Sequence, residues 1–407
     1  MARDADIIII GAGASGMAAA VAALSEDPSL KVMLLERSDR PGKKILVTGN
    51  GRCNLSNEHM DISCYNEGAE RYREVFERYG DDVSFFRGLG LLTRPDQEGR
   101  IYPMSGQASS VLDALRFALS AKGAQVICDA EVTRVERSSG SFSVHTSGGR
   151  RFTSAAVIIA AGSPAGQHGY DSSALIGSLA RMDTEFAGFS PALVQLTVKE
   201  LPAQLRGTRV RAEASLKLSD GKTFNESGEV QFGEGYISGI CVMDLSRHYS
   251  GDGEAELSLD MCPDMSEEEL RAFIEGTVSS RPDTDASSVL SGIVPKAAGE
   301  TVLRRCCRDI FKRKAGSLSA EDISGAAATL KALTFAVTGK GGLRSAQICI
   351  GGARELDGDT LRSRNVPGLF FCGEIVDVDG RCGGYNLHWA WASGRAAGTA
   401  AALAVRS

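Results

Sequence analysis

The chain has 407 residues, enough for two or three domains of ordinary size and for a large buried core. Apolar residues make up 43% and charged residues 24%, which excludes a disordered chain, and the 11 prolines follow no collagen-like period. Its 45 basic and 51 acidic residues leave a formal net charge of −6, the wrong sign for a protein that depends on phosphate-backbone attraction, so nucleic acid is not expected as a partner.

No apolar run approaches the roughly 18 residues of a membrane helix, and the N-terminus lacks the order of a signal peptide, so the chain is expected in the cytoplasm with no membrane partner. The ten cysteines show no C-x-x-C pair and no Cys/His ligand rhythm. They read as reduced thiols, and no metal is expected. Glycine is the outlier, at 47 positions, about 12% against an average near 7%.

Residues 6–10 form an apolar run without alternation, as in a parallel strand buried on both faces. A G-x-G-x-x-G turn follows at Gly11, Gly13 and Gly16, enclosing Ala14 and Ser15, and residues 15–24 read as an alanine-rich helix. The spacing has a physical purpose. Gly11 permits the tight turn, Gly13 lets a pyrophosphate approach the backbone, and Gly16 lets helix and strand pack closely, with the helix N–H groups facing the phosphates. A second strand, 31–36, ends at Glu36, 20 residues beyond Gly16, where a carboxylate is expected to accept hydrogen bonds from an adenosine ribose; Arg37 lies beside it. These elements together predict an adenine dinucleotide.

Two later segments choose which one. Residues 131–136, 142–146 and 157–161 read as a meander that begins around Val132 and ends in Ala160, Ala161 and Gly162. Near the C-terminus, residues 368–371 lead into Gly373 and Glu374, then past Asp377 and Asp379 into Gly383, Gly384, Tyr385, Asn386 and Leu387. This three-part pattern resembles the glutathione-reductase-like FAD domain, which implies FAD as cofactor and the late segment as its ribityl and pyrophosphate contact. A second G-x-G-x-x-G is not found, so NAD(P)H is expected only as a transient electron donor.

The run from Pro41 to Asn57, with Gly99 to Pro103 and the stretch from Gly373 to Trp391, is similar to the bacterial HI0933-like flavoproteins, NAD(P)/FAD-dependent oxidoreductases that include aminoacetone oxidase and a bile-acid dienoyl reductase. The resemblance implies that Glu36, Lys43, Lys44, Arg52, Cys53, Asn54, Val132, Gly373, Glu374 and Asn386 line FAD. Lys43, Lys44 and Arg52 suit pyrophosphate charge, and Gly49 and Gly51 let backbone N–H groups reach the cofactor. No cysteine stands five residues beyond Cys53, so dithiol chemistry is disfavoured there and Cys53 reads as a small packing residue.

The middle changes character near Gly188. Residues 193–198, 210–218, 228–232, 254–261 and 333–337 are short, β-branched or alternating, while Ser266 with Glu269 forms a capping box and residues 301–311 and 320–333 carry helical spacing. The fold class expected is α/β, a Rossmann-type parallel sheet plus β-meander (1–188 and 344–407), interrupted by a β-barrel-like substrate domain (189–263 and 333–343) that itself carries a helical insertion (264–332). Cys306 and Cys307 are placed in a helix with side chains about 100° apart and read as structural. Family members often carry Thr-His-x-Gly-x-Ser-Gly-Pro where this chain has residues 233–240, which weakens transfer of substrate by analogy.

Flavin carries the electrons in such a protein, and the chain positions substrate. His388, in the first turn of a helix predicted over 385–398, is the leading catalytic candidate, with Tyr102 and His168 weaker. The expected activity is an FAD-dependent oxidoreductase acting on a small molecule, by amine oxidation or by reduction of a conjugated enone. The alternative is a flavin-binding redox sensor or electron carrier, and a flavin-dependent tRNA modifier is disfavoured by the net charge.

Overall fold

The structure is a computed structural model that describes residues 3–167 and 170–406. Contacts divide it into two units, one made of residues up to Ser190 and from Ile348 onward, the other of Pro191–Gln347.

The first unit is built on a five-stranded parallel sheet in the order Leu369–Phe371, Ala156–Ile159, Ile7–Ile10, Val32–Leu35, Gln125–Ile127. All four residues of Ile7–Ile10 are buried, which is why the strand reads as unbroken apolar sequence rather than alternation. Its C-terminal end runs straight into the glycine turn, and helix Ala14–Glu26 returns across the sheet. That helix lies against Tyr385–Arg406, which continues past the predicted end at 398 through an alanine-rich run. The contact is close: a Cβ on Gly394 would fall 2.4 Å from the Ser15 carbonyl oxygen, and one on Gly398 2.1 Å from that of Ala19.

The meander differs from the sequence reading. Its strands are Val132–Ser138, Ser141–Thr146 and Arg151–Ser154, whereas the stretch 157–161, predicted as its third strand, falls largely on Ala156–Ile159, which belongs to the parallel sheet. Ala156–Ile159 is apolar and buried throughout, as the central sheet requires, while Arg151–Ser154 offers a single apolar residue, Phe152, too little for a pattern.

The second unit holds a closed antiparallel barrel in the order Leu196–Val198, Tyr236–Ser238, Thr223–Phe232, Arg209–Leu218, Ala255–Asp260, Leu333–Lys340. Val210, Ala212, Ala214 and Leu216 point inward from one strand at a period of two. Between the last two of these strands in sequence come helices Glu267–Ser280, Lys296–Cys306 and Ala320–Lys331, whose apolar faces join the barrel's core. The Ser266–Glu269 capping box is present, and Ser319 with Asp322 forms another. The helix predicted over 301–311 instead starts after Pro295 and stops at Cys306. Cys307 is extended (φ −122°, ψ 125°), so the two sulfurs lie 3.6 Å apart instead of splaying. Among the described residues no helix is long and apolar enough to cross a membrane.

Candidate active site

The three glycines of the first turn have different surroundings. A Cβ on Gly11 (φ +102°) would sit 2.4 Å from the Ala160 carbonyl oxygen, and one on Gly16 would sit 1.9 Å from that of Gly11, so both are required by packing. A Cβ on Gly13 would meet no atom of the described residues within 4 Å. The space over Gly13 is therefore open to a ligand. Gly13 is also the N-cap of a helix that has no side-chain cap and no acidic residue in its first turn, which leaves N–H groups and the positive end of the dipole available to an anion.

Glu36 lies beneath this turn. Its two carboxylate oxygens accept from the Ala12 N–H at 3.0 Å and the Ser38 N–H at 2.8 Å, and a carboxylate has further lone pairs to offer a ribose. Arg37 stands 4.4 Å above the Tyr170 ring and donates to Gln167. Burial pushes the Tyr170 phenol up to about 12 despite the guanidinium, and its hydroxyl donates to the Ala161 carbonyl at 3.4 Å. Next along the chain, a Cβ on Gly162 would meet nothing within 4 Å, and Val132 is buried at the start of the meander. His168 lies outside the described residues.

The two ends of the chain meet here. Ser15 lies so close to Gly373 that a Cβ on the glycine would fall 2.3 Å from the serine oxygen. Glu374 accepts from Lys44 Nζ at 2.8 Å, from Ser163 Oγ at 2.7 Å and from the Cys349 N–H at 3.1 Å. Lys43 pairs with Asp39 at 2.5 Å, so each of the two lysines expected at a pyrophosphate has a carboxylate partner within the chain.

Between Gly49 and Cys53 four residues have positive φ: Gly49, Asn50, Gly51 and Cys53. Asn50 and Cys53 are not glycine, so the loop holds strain of the kind concentrated at functional sites. Arg52 covers the Tyr102 ring at 4.7 Å, and Tyr102 also faces Gly49. Cys53 has no accessible surface, and burial pushes its thiol up to about 11. Asn54 Oδ1 is shielded from solvent and has no hydrogen-bond partner among the described residues. A Cβ on Gly384 would fall 2.9 Å from that oxygen.

The late segment is held tightly. Asn386 brackets the loop before it, accepting from the Gly380 N–H at 2.8 Å and donating to the Gly380 and Arg381 carbonyls. Asp379 is buried and Leu387 half-buried, and the Tyr385 carbonyl accepts from Tyr65 at 2.8 Å. Trp389 and Trp391 donate their indole N–H groups to the Gly373 and Leu55 carbonyls, at 3.2 and 3.0 Å.

His388 departs from its expected role. Only 2% of it is accessible, its Nδ1 is 2.6 Å from Asp82 Oδ2, and its ring stacks on Phe76. It presents no face to a ligand. Tyr102, 8% accessible, remains at the strained loop. Asp82, which binds His388, has no signal in the sequence, because its charge partners His388 and Arg395 lie 306 and 313 positions away.

An open glycine, an uncapped helix N-terminus, a ribose carboxylate and an orphaned amide oxygen fit an adenine dinucleotide that carries a flavin. The fold and site define a flavin-binding Rossmann oxidoreductase. A family profile for the HI0933-like protein Rossmann domain matches residues 5–400, and the chain belongs to that family. It is 38% identical to the 3-dehydro-bile acid delta(4,6)-reductase of Clostridium scindens, over 97% of this chain and 98% of that protein. It is 27% identical to the ribosomal RNA dihydrouridine synthase of Escherichia coli, over 95% and 96% respectively. Among solved structures, a quinol-fumarate reductase with menaquinol matches with a TM-score of 0.53 at 14% identity, over 99% of this chain and 71% of that one, and shares the fold. The protein is an FAD-dependent oxidoreductase.

Proposed function

We propose that this enzyme saturates a carbon–carbon double bond conjugated to a carbonyl, on a steroid-like enone. The observation that carries this reading is the 38% identity, across nearly the whole of both chains, to a reductase named for a 3-dehydro bile acid with delta-4 and delta-6 unsaturation. The more distant relatives support the reaction class from another side. Making dihydrouridine saturates the uracil C5=C6 bond, which is also conjugated to a carbonyl, so both named products follow from adding a hydride at the β carbon and a proton at the α carbon.

FAD, when bound, supplies the two-electron transfer, and NAD(P)H is the proposed source of those electrons. Gly11, Gly13, Ala14, Ser15 and Gly16 would hold its pyrophosphate and Glu36 its ribose, with Arg37, Lys43, Lys44 and Arg52 balancing charge. Gly49, Gly51, Asn54, Ala161, Gly162, Gly373, Glu374, Gly384 and Asn386 would shape the rest of the cradle. Tyr102 is the proposed proton donor, because its phenol stands at the strained loop with Arg52 4.7 Å from its ring.

A second reading, reduction of uracil within RNA, is favoured by the dihydrouridine synthases and opposed by the net charge of −6. Anaerobic stopped-flow decides between them. The reduced enzyme is mixed with a 3-oxo-Δ4,6 steroid or with ribosomal RNA, and the oxidised enzyme is mixed with a small primary amine as control. Rapid flavin reoxidation by the steroid alone, with a product two mass units heavier, is the expected result. Reoxidation by RNA alone overturns the steroid assignment, and flavin reduction by the amine overturns the reaction class.

A further inference from the structure

The carboxylate of Asp82 is fully buried and takes three hydrogen bonds: Arg395 Nη2 at 2.9 Å on one oxygen, Ser56 Oγ at 2.9 Å and His388 Nδ1 at 2.6 Å on the other. A buried carboxylate needs a charge partner, and Arg395 supplies it. The guanidinium also donates to the Tyr79 and Asp81 carbonyls and lies 4.6 Å from the Phe85 ring, so it is anchored independently of the histidine. His388 and Ser56 are thus not needed to neutralise Asp82. Their hydrogen bonds fix position.

What they position is the cofactor cradle. Ser56 is two residues from Asn54, whose shielded Oδ1 has no hydrogen-bond partner among the described residues. The Ser56 carbonyl oxygen would lie 2.4 Å from a Cβ on Gly384, so these two backbones touch. His388 donates its N–H to the Gly384 carbonyl at 3.0 Å, one helical turn back. One carboxylate oxygen therefore joins the segment carrying the orphaned amide to the segment that begins the C-terminal helix, 332 positions apart in the chain. The imidazole has little freedom to do otherwise, since Phe76 stacks on it at 5.8 Å and a Cβ on Gly80 would lie 3.4 Å from its Cε1.

We infer that His388 and Ser56 are positioning residues, which act through Asp82 to hold Asn54 and Gly384 at the separation that FAD requires. The inference rests on the flavin site and not on the choice of substrate, so it stands or falls on binding and spectrum, without turnover.

The experiment uses the full chain stripped of flavin and titrated with FAD. His388→Asn places an amide N–H where Nδ1 stood, and His388→Gln moves the donor outward to the Nε2 position. Ser56→Ala removes the other hydrogen bond without touching the helix. Losing a hydrogen bond to a charged group is expected to raise the FAD Kd at least about tenfold in His388→Gln and in Ser56→Ala, with a shifted visible spectrum, while His388→Asn stays within about threefold of wild type. Unchanged Kd and spectrum in folded Ser56→Ala would overturn the inference, as would His388→Asn behaving no better than His388→Gln. Should His388→Gln not fold, Ser56→Ala decides alone. Failure of steroid turnover with these shifts intact would count against the proposed substrate only.

Discussion

Lys44 and Glu374, 330 positions apart, share a 2.8 Å ion pair that ties the segment after the second strand to the C-terminal Gly-Glu motif. The lysine is more than a third exposed, and pairs of that kind contribute only about 0–1 kcal/mol to folding. Its larger effect is on what approaches Glu374. Without Lys44 the carboxylate would meet the proposed pyrophosphate uncompensated, so Lys44→Ala is expected to lower the melting temperature little but to raise the FAD Kd about tenfold. Adding Glu374→Gln to Lys44→Ala removes the repulsion and is expected to recover more than half of that loss. A double-mutant cycle on FAD affinity measures it, and strict additivity would show that the pair is irrelevant to binding.

Gly13 and Gly16 separate a ligand's demand from the protein's own. A methyl on Gly16 would penetrate the Gly11 carbonyl, whereas one on Gly13 enters open space. Gly16→Ala is expected to destabilise the apoprotein by about 1–3 kcal/mol or to prevent folding. Gly13→Ala should cost about 1 kcal/mol or less, as a poorer N-cap, and yet abolish measurable FAD uptake. Chemical denaturation beside flavin titration checks both, and a Gly13→Ala protein that binds FAD normally would remove the pyrophosphate from that turn.

The parts of this site that could be read in advance are contiguous in the chain. Strand, glycine turn, helix, second strand and Glu36 follow one another within 30 residues, so local periodicity and spacing are enough to place them. His388 was visible as a residue but its role was not, because its partner Asp82 stands 306 positions earlier in an unremarkable acidic stretch. The third meander strand is illegible for a different reason: Arg151–Ser154 owes its place to hydrogen bonds with Ser141–Thr146 and not to apolar pattern. The break after Cys306 likewise escapes a reading by helical period, which continues smoothly across it.

Cys53 and Cys372 flank the cradle yet should be chemically silent. Burial pushes their thiols up to about 11 and about 12, and only the thiolate is a competent nucleophile. At pH 8 the native protein is expected to leave both unlabelled by iodoacetamide while half-buried cysteines such as Cys64 react, as peptide mass mapping would reveal. Cys53→Ser should retain bound flavin and turnover. Rapid alkylation of Cys53, or loss of activity in that serine variant alone, would instead assign it a redox part.

Asp322 gives the second unit a defined sensitivity to acid. Burial pushes its carboxyl upward, but the Ser319 N–H at 2.9 Å and Arg313 at 2.8 Å outweigh it, so in the folded chain it titrates below its ordinary value of 3.8. A lowered folded value means that the ionised group stabilises the fold above that ordinary value, and that this stability is lost as pH falls through the folded value. Asp322→Ala should therefore weaken helix Ala320–Lys331 by about 1–2 kcal/mol at pH 7, the usual cost of a lost cap. As pH falls through that lowered folded value, wild type and variant should converge. Hydrogen exchange of that helix, compared between the two proteins at matched pH down an acid series, reads the difference directly, and a gap that stays undiminished throughout the acid range would mean that the charge on Asp322 contributes nothing to the cap.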